Sequence, residues 1–213
     1  MLRDPARKRS QLKSTNYRMP ACTARDVAPI EAAVRALRGA SRDAAEDLMD
    51  ATSPRGLCMM LHAIRRWYSY NCYNAAKKIL VHAEALHASG AMDLRAPVGA
   101  FRGFKVALDN PLARHEAGDR LALPVVRNGG CSSWTMRREI ADRFSGASPG
   151  KTGIVIRLLD DRVEPFIAPP LDSAAWFNAL YARTMGSSFR LKEDEYALYG
   201  SPVHVEIVAM KRR

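Results

Sequence analysis

Two glutamates stand one residue apart near the C-terminal end of the chain, Glu193 and Glu195, in the segment LKEDEYALYG (191–200). A short β-type run follows them. If Glu195 begins a strand, the alternation of side chains turns both carboxylates to one face and Asp194 to the other. Two neighbouring carboxylates repel each other, so the pair suits a place that receives a cationic group. By itself such a pair is more often a solvated turn before a strand, and only the residues upstream favour a chemical role.

Two polar side chains on predicted strands precede this pair. Arg102 lies in Phe-Arg-Gly, within a strand pattern over 99–108, and Ser133 lies in Ser-Ser-Trp-Thr, at the end of 128–135. A short helix pattern and an apolar strand pattern come next. In this order and on these elements, the residues resemble the R-S-E class of mono-ADP-ribosyltransferases, which has an aromatic-Arg-Gly strand, a Ser-x-Ser/Thr strand and a final Glu-x-Glu. The resemblance covers the chain from about 98 to 210.

The resemblance implies NAD as co-substrate, no metal, and a role for each motif residue. Cleavage of the bond between nicotinamide and ribose develops an oxocarbenium-like cation, which a carboxylate placed beforehand stabilises; this is the role implied for Glu195. Arg102 would bind the pyrophosphate through its guanidinium. Gly103 would leave main-chain groups bare for the nicotinamide amide. Ser133 would hydrogen-bond Glu195, and Thr135 would help to shape the same strand.

Two further residues are implied at the NAD site. Family members place an aromatic about eleven residues after the serine, over the nicotinamide ring, and Phe144 stands there. A core position on its own helix is an equal alternative for Phe144. Lys151, in the loop that follows, is a candidate to reach a phosphate. The family often has Ser-Thr-Ser where this chain has Ser-Trp-Thr, a departure that keeps the hydroxyl of Ser133.

The acceptor is implied by Glu193, because in this family a glutamate there accompanies arginine modification. The loop just before it would meet the acceptor, with Phe189 and Arg190 as contacts. We therefore expect transfer of ADP-ribose to arginine on a target protein, as in small enzymes that phages and bacteria use against host proteins. One alternative is a nucleic acid acceptor. Another is a basic binding module that kept the fold without catalysis.

The charge distribution leaves the nucleic acid alternative open. The net charge is +11, and residues 1–18 carry six basic side chains and one acid, while 211–213 are all basic. Residues 1–25 are polar, basic and without periodicity, so we predict a flexible arm that can contact phosphates or acidic partners. Because the excess lies mostly in the two tails, charge alone does not choose a partner.

The elements needed to position the candidate site follow from periodicity. We predict one ADP-ribosyltransferase-like domain over 26–213, with a helical part (26–95) and a mostly β catalytic part (96–213). The expected class is α+β, with N-terminal helices followed by two small antiparallel sheets that form an NAD cleft. Helix starts are predicted at Asp26, Ser41 and Ser53-Pro54. Further predicted elements are strands at 99–108, 119–126, 152–159, 196–199 and 202–210, a turn that runs into a short extended piece at 128–135, and helices at 136–144 and 171–185.

Cysteine usage and hydropathy suggest an intracellular protein. The four cysteines form no C-x-x-C pair, and the histidines do not cluster with them along the sequence. We therefore expect free thiols in a reducing cytoplasm, with neither a disulfide framework nor a zinc site. No apolar run is long enough to cross a membrane, and 1–18 lacks the apolar segment of a secretory signal. The expected location is the cytoplasm, which includes that of a host cell, with no membrane partner.

Overall fold

The computed structural model describes residues 22–70, 73–88, 93–123, 131–146, 148–163, 165–167, 194–199 and 203–212. The described helices of the N-terminal part belong to one compact unit. All of the described strands belong to a second unit, which comprises Leu94–Pro170 and Leu191–Arg213. The predicted helix at 171–185 lies outside the described residues.

Four helices form the described part of the first unit. They are α1 (Ala24–Ala40), α2 (Arg42–Ala51), α3 (Pro54–Tyr70) and α4 (Tyr73–Ala88). The predicted start of α1 at Asp26 is wrong by a few residues, because Thr23 is the N-cap. Its hydroxyl accepts from the Asp26 amide, and the Asp26 carboxylate accepts from the Thr23 amide at 2.9 Å, a reciprocal capping box.

The first unit has its own core, formed by the apolar stripe of α3 against α4. The Ser53 hydroxyl accepts from the Gly56 amide at 3.0 Å, which confirms the helix start predicted at Ser53-Pro54. Trp67 is buried, so its aromatic ring belongs to the core. Other buried residues of the two helices recur at helical spacing and include Leu57, Cys58, Met60, Leu61, Ala63 and Ile64 on α3, and Ala75, Ala76, Ile79, Ala83 and Leu86 on α4.

The second unit is built on one antiparallel sheet. Its seven strands lie in the order β2-β7-β4-β1-β3-β6-β5. The expectation of two small sheets is not confirmed, because β1 and β3 join the two halves through one residue pair, Phe101 with Thr135. The strands are β1 (Phe101–Ala107), β2 (Arg120–Leu123), β3 (Cys131–Thr135), β4 (Lys151–Leu158), β5 (Pro165–Ile167), β6 (Glu195–Tyr199) and β7 (Val203–Lys211).

One short helix, α5 (Arg138–Phe144), packs on β1. Glycines make this close packing possible. A Cβ at Gly103 would lie 1.7 Å from the Ala141 carbonyl oxygen, and a Cβ at Gly153 would lie 1.7 Å from the Ser145 carbonyl oxygen. The last residue of β7, Lys211, donates to the Asp142 carboxylate at 2.7 Å and to the Asp142 carbonyl at 3.0 Å. These contacts fix α5 against β1, β4 and β7.

The apolar core of the sheet includes side chains from several strands, among them Trp134, Ile154, Ile156, Leu198 and Val205. The Trp134 indole donates to the Ser132 hydroxyl at 2.7 Å, so its one polar group is satisfied inside the core.

The cysteine prediction is wrong for one pair. Cys22, just before α1, and Cys58, on α3, form a disulfide with a Cα–Cα distance of 6.3 Å. The two cysteines are 36 positions apart, and the segment between them carries no local signal of the pairing, which exists because the chain folds back between the two helices. Cys131 is a buried free thiol. Among the described residues, no helix has the length and apolar character that a bilayer span requires.

Candidate active site at strands β1, β3 and β6

Three neighbouring strands bring the sequence motifs to one level of the sheet. Phe101 of β1 pairs with Thr135 of β3, and Thr135 pairs with Glu195 of β6. Neighbouring strands lie about 4.8 Å apart, so the backbone at Phe101 and Arg102 lies roughly 10 Å from Glu195. We call the three paired residues the Phe101–Thr135–Glu195 row. It joins the Phe-Arg-Gly strand, the Ser-x-Thr strand and the strand that begins at the final glutamate.

Glu195 is a buried carboxylate, with 7% of the residue exposed. It is the first residue of β6 and lies directly opposite Thr135, so the two side chains share a face. Ser133 shares that face two residues along β3, opposite Ala197. Thr135 is therefore the direct cross-strand neighbour of Glu195 and Ser133 its diagonal neighbour. A hydrogen bond from Ser133 to Glu195 stays a prediction.

The backbone immediately before Glu195 is in the left-handed region. Asp194 has a φ of 42°, a conformation that aspartate tolerates better than most residues. Side-chain alternation applies only to extended backbone, so it cannot be continued from Glu195 through Asp194 to Glu193. Glu193 lies outside the described residues, as do Phe189 and Arg190.

An arginine that sequence reasoning missed contacts this turn. The Arg137 guanidinium donates to the Asp194 carboxylate at 3.4 Å and to the Glu139 carboxylate at 2.7 Å. Donation to the Glu139 carboxylate, and more weakly to the Asp194 carboxylate, raises the pKa of Arg137. The Arg137 amide also donates to the Thr135 hydroxyl at 3.1 Å. Arg137 therefore links the turn after β3 to the residue before Glu195, across 57 positions of sequence that carry no hint of the contact.

Arg102 lies where β1 and β3 separate. It is opposite Ile156 of β4, and alternation puts it on the face of Phe104, whereas Phe101 and the Glu195 side chain share the other face. Arg102 is next to Phe101 in the sequence, so its backbone lies beside the row. Its side chain lies on the opposite face of the sheet from the side chain of Glu195.

The gap between β1 and β3 opens directly after the row. If the antiparallel register continued, Gly103 would stand opposite Ser133, but within these two strands the pairing stops at Phe101. The side of Gly103 where a Cβ would stand is covered by α5. Close helix packing therefore accounts for a glycine at this position, and a role for its main-chain groups stays a prediction.

The two remaining candidate residues, Phe144 and Lys151, are both exposed. Phe144 is 53% exposed at the end of α5, so it is not a core residue of its helix. Lys151 is exposed at the start of β4, opposite Ala107. Ala107 is five residues along β1 from Arg102, a distance of about 17 Å. The structure does not bring Lys151 to the row itself.

The arrangement can perform electrostatic chemistry without a metal ligand set. Within the described residues, the histidine, cysteine and carboxylate side chains close enough to share a metal ion are Cys22, Cys58 and His62, which lie in the helical unit. The row instead offers a buried carboxylate beside two hydroxyls on one face of the sheet, whereas the Arg102 guanidinium belongs to β1, two strands away, and to the other face. A ligand that uses both groups must therefore pass between the faces where the pairing of β1 and β3 ends, with its developing positive charge near Glu195 and its negative charge near Arg102.

Comparison with known proteins returned no matching family model and no matching curated protein. Three solved structures match. The ADP-ribosyltransferase Vis in complex with the M6 inhibitor is 18% identical, with a TM-score of 0.36, over 99% of this chain and 81% of that one. Vis in complex with agmatine is 18% identical, with a TM-score of 0.35, over 100% of this chain and 83% of that one. Vis toxin, an ADP-ribosyltransferase from Vibrio Splendidus, is 17% identical, with a TM-score of 0.34, over 99% of this chain and 82% of that one. These values are too low to assign a family.

Proposed function

We propose that this chain is an NAD-dependent mono-ADP-ribosyltransferase. The observation that carries the proposal is the Phe101–Thr135–Glu195 row. Three motifs that are far apart in the sequence occupy three neighbouring strands at one level, and the first two strands separate directly beyond it. Beyond that pair β1 and β3 are no longer paired, and the nicotinamide end of NAD is proposed to bind there, between Gly103 and Ser133.

In the proposed chemistry the Glu195 carboxylate stabilises the positive charge that develops on the ribose, and the Arg102 guanidinium binds the negatively charged pyrophosphate of the co-substrate. Glu195 accepts a hydrogen bond from the ribose 2′-hydroxyl and stabilises the oxocarbenium-like cation as neutral nicotinamide leaves. Its burial strengthens this interaction, because fixed charges act more strongly in a site with little water. Arg102, two strands away on β1 and on the other face of the sheet, binds the pyrophosphate of an NAD molecule that passes through the place where the pairing of β1 and β3 ends. Ser133 and Thr135, on the Glu195 face, hold the carboxylate in place.

We propose arginine of a target protein as the acceptor, on the basis of Glu193. An arginine guanidinium has a pKa above about 12, so it must lose a proton as it attacks the ribose. A positioned general base contributes roughly 10²- to 10⁴-fold in rate, and Glu193 is the candidate. Phe189 and Arg190, just before it in the chain, are the proposed acceptor contacts. The Vis structure determined with agmatine contains a molecule with a guanidinium group.

The proposal is tested by nicotinamide release from labelled NAD with the purified protein. Glu195→Gln keeps the size of the side chain and removes its charge, so we expect loss of nearly all NAD cleavage with the melting temperature retained. Glu31→Gln, on the exposed face of α1, is the matched control and should cleave NAD at the wild-type rate. NAD cleavage by Glu195→Gln at the wild-type rate, or none by the wild type, would overturn the proposal.

The acceptor is tested separately with a cell lysate and labelled NAD. Label that protease releases and nuclease does not, and that chemical stability assigns to arginine, supports the proposed acceptor. The six basic side chains of residues 1–18 favour nucleic acid as the second candidate. In that case nuclease releases the label, and transfer falls steeply with salt as counterions compete for the phosphates.

A further inference from the structure

Three side chains in the helical unit are arranged as metal ligands. Cys22 lies directly before the N-cap of α1, and Cys58 and His62 lie four residues apart on one face of α3. The sulfur atoms and an imidazole nitrogen all lie within 4.8 Å of one another. The i, i+4 spacing of Cys58 and His62 is visible in the sequence, but that Cys22 joins them is not, because it reaches them only when the start of α1 folds against α3.

The geometry requires little change to accept a metal ion. Tetrahedral zinc with Zn–S bonds of about 2.3 Å holds two sulfurs roughly 3.8 Å apart. Disulfide sulfurs are about 2.05 Å apart, so opening the Cys22–Cys58 bond and rotating the two side chains provides the needed spacing.

We propose that reduction of the Cys22–Cys58 disulfide converts this cluster into a binding site for a thiolate-preferring divalent ion such as Zn²⁺. A dithiol reductant transfers two electrons and two protons, the S–S bond breaks, and the reductant becomes a disulfide. The two thiols then lose their protons as they bind the ion, and His62 supplies a neutral nitrogen. Water completes the four-coordinate shell. The oxidised and metal-bound forms exclude each other, and both connect α1 to α3.

The test uses the full chain, reduced and then freed of reductant without air, and titrated with Co²⁺ as a spectroscopic probe. We expect a thiolate-to-cobalt charge-transfer band and the intense visible bands of tetrahedral Co²⁺, both removed when Zn²⁺ is added. The oxidised protein should show neither. His62→Ala should weaken Zn²⁺ affinity by about 100-fold or more, since even second-shell losses cost about 10- to 100-fold.

Matched controls separate this site from adventitious binding. His87→Ala, exposed on α4, and Cys131→Ser, on β3, should bind Co²⁺ like the wild type. If His62→Ala or Cys22→Ser lowers the melting temperature of the apo protein, Cys58→Ser provides a third ligand variant for the same titration. Equal Co²⁺ spectra in the oxidised and reduced protein, or an unchanged affinity in His62→Ala, would overturn the proposal. Neither outcome depends on NAD cleavage.

Discussion

Substitution of Gly103 tests how closely α5 packs on β1. In Gly103→Ala the new Cβ would stand 1.7 Å from the Ala141 carbonyl oxygen, whereas ordinary contact begins at 3.4 Å. The obstacle is helix backbone, since this oxygen also accepts from the Ser145 amide at 3.1 Å. Either α5 or β1 must therefore move by about 1.7 Å. Overpacking lowers the free energy of unfolding by about 1–3 kcal/mol, and because the obstacle here is rigid backbone we expect a loss of about 2–3 kcal/mol for Gly103→Ala.

Thermal unfolding measures the expected loss. For a chain of this length, 1 kcal/mol corresponds to roughly 2–4 °C, so Gly103→Ala should melt about 4–12 °C lower. Gly153→Ala meets the Ser145 carbonyl oxygen at the same 1.7 Å and should lose a similar amount. Gly146→Ala is the control, because its Cβ would lie 3.4 Å from the Arg143 carbonyl oxygen, and it should melt near the wild type. A wild-type melting temperature for Gly103→Ala would refute the close approach of α5.

The pair of glycine variants also separates packing from NAD binding. Both variants displace α5, but only Gly103 lies beside the opening between β1 and β3. If its main-chain groups pair with the nicotinamide amide, the KM for NAD should rise more in Gly103→Ala than in Gly153→Ala at equal stability. Equal KM values would restrict Gly103 to a packing role.

Three other predictions concern Glu193, the Cys22–Cys58 disulfide and Arg137. Glu193→Gln should suppress transfer to arginine while it spares much of the NAD hydrolysis, measured as label on protein against free ADP-ribose; equal loss of both would remove the general-base role. Reduction of the Cys22–Cys58 disulfide in the presence of a chelator should lower the free energy of unfolding by about 4 kcal/mol, from the entropy of a 36-residue loop, and the melting temperature by roughly 8–16 °C. A Cys22→Ser/Cys58→Ser variant should not respond to the reductant. A wild-type protein that is equally unresponsive would contradict the cross-link. Arg137→Ala should lower kcat for NAD cleavage by roughly 10- to 100-fold, because Glu195 is misplaced, with little change in melting temperature. The control Arg42→Ala loses a comparable surface ion pair with Glu46 and should keep full activity. Full activity of Arg137→Ala would rule out a positioning role for Arg137.

Burial also makes one thiol unreactive. Desolvation raises the pKa of the Cys131 thiol to about 12, so little thiolate exists near neutral pH. Thiol reagents applied to the oxidised, folded protein should therefore spare Cys131. This property makes Cys131→Ser a silent control in the metal titration.

Residues close together in the sequence determined the local elements and the motif order. The helical stripe of α3, its start at Ser53-Pro54 and the strand patterns that became β1, β3, β4, β6 and β7 were all predicted, because periodicity records which face of an element is buried. The order of Arg102, Ser133 and Glu195 was also readable from the chain.

The tertiary structure alone decided which of these elements meet. The single pair between β1 and β3 joins two ladders into one sheet, and the short strand β5 completes its edge. The contact of Arg137 with Asp194, the exposure of Phe144 and the pairing of Cys22 with Cys58 likewise depend on distant segments. Periodicity in the sequence indicates which face of a helix or strand is buried, but not which other element covers that face. The covering element depends on the order of the strands in the sheet and on where the chain turns back, and both involve residues far apart in the sequence.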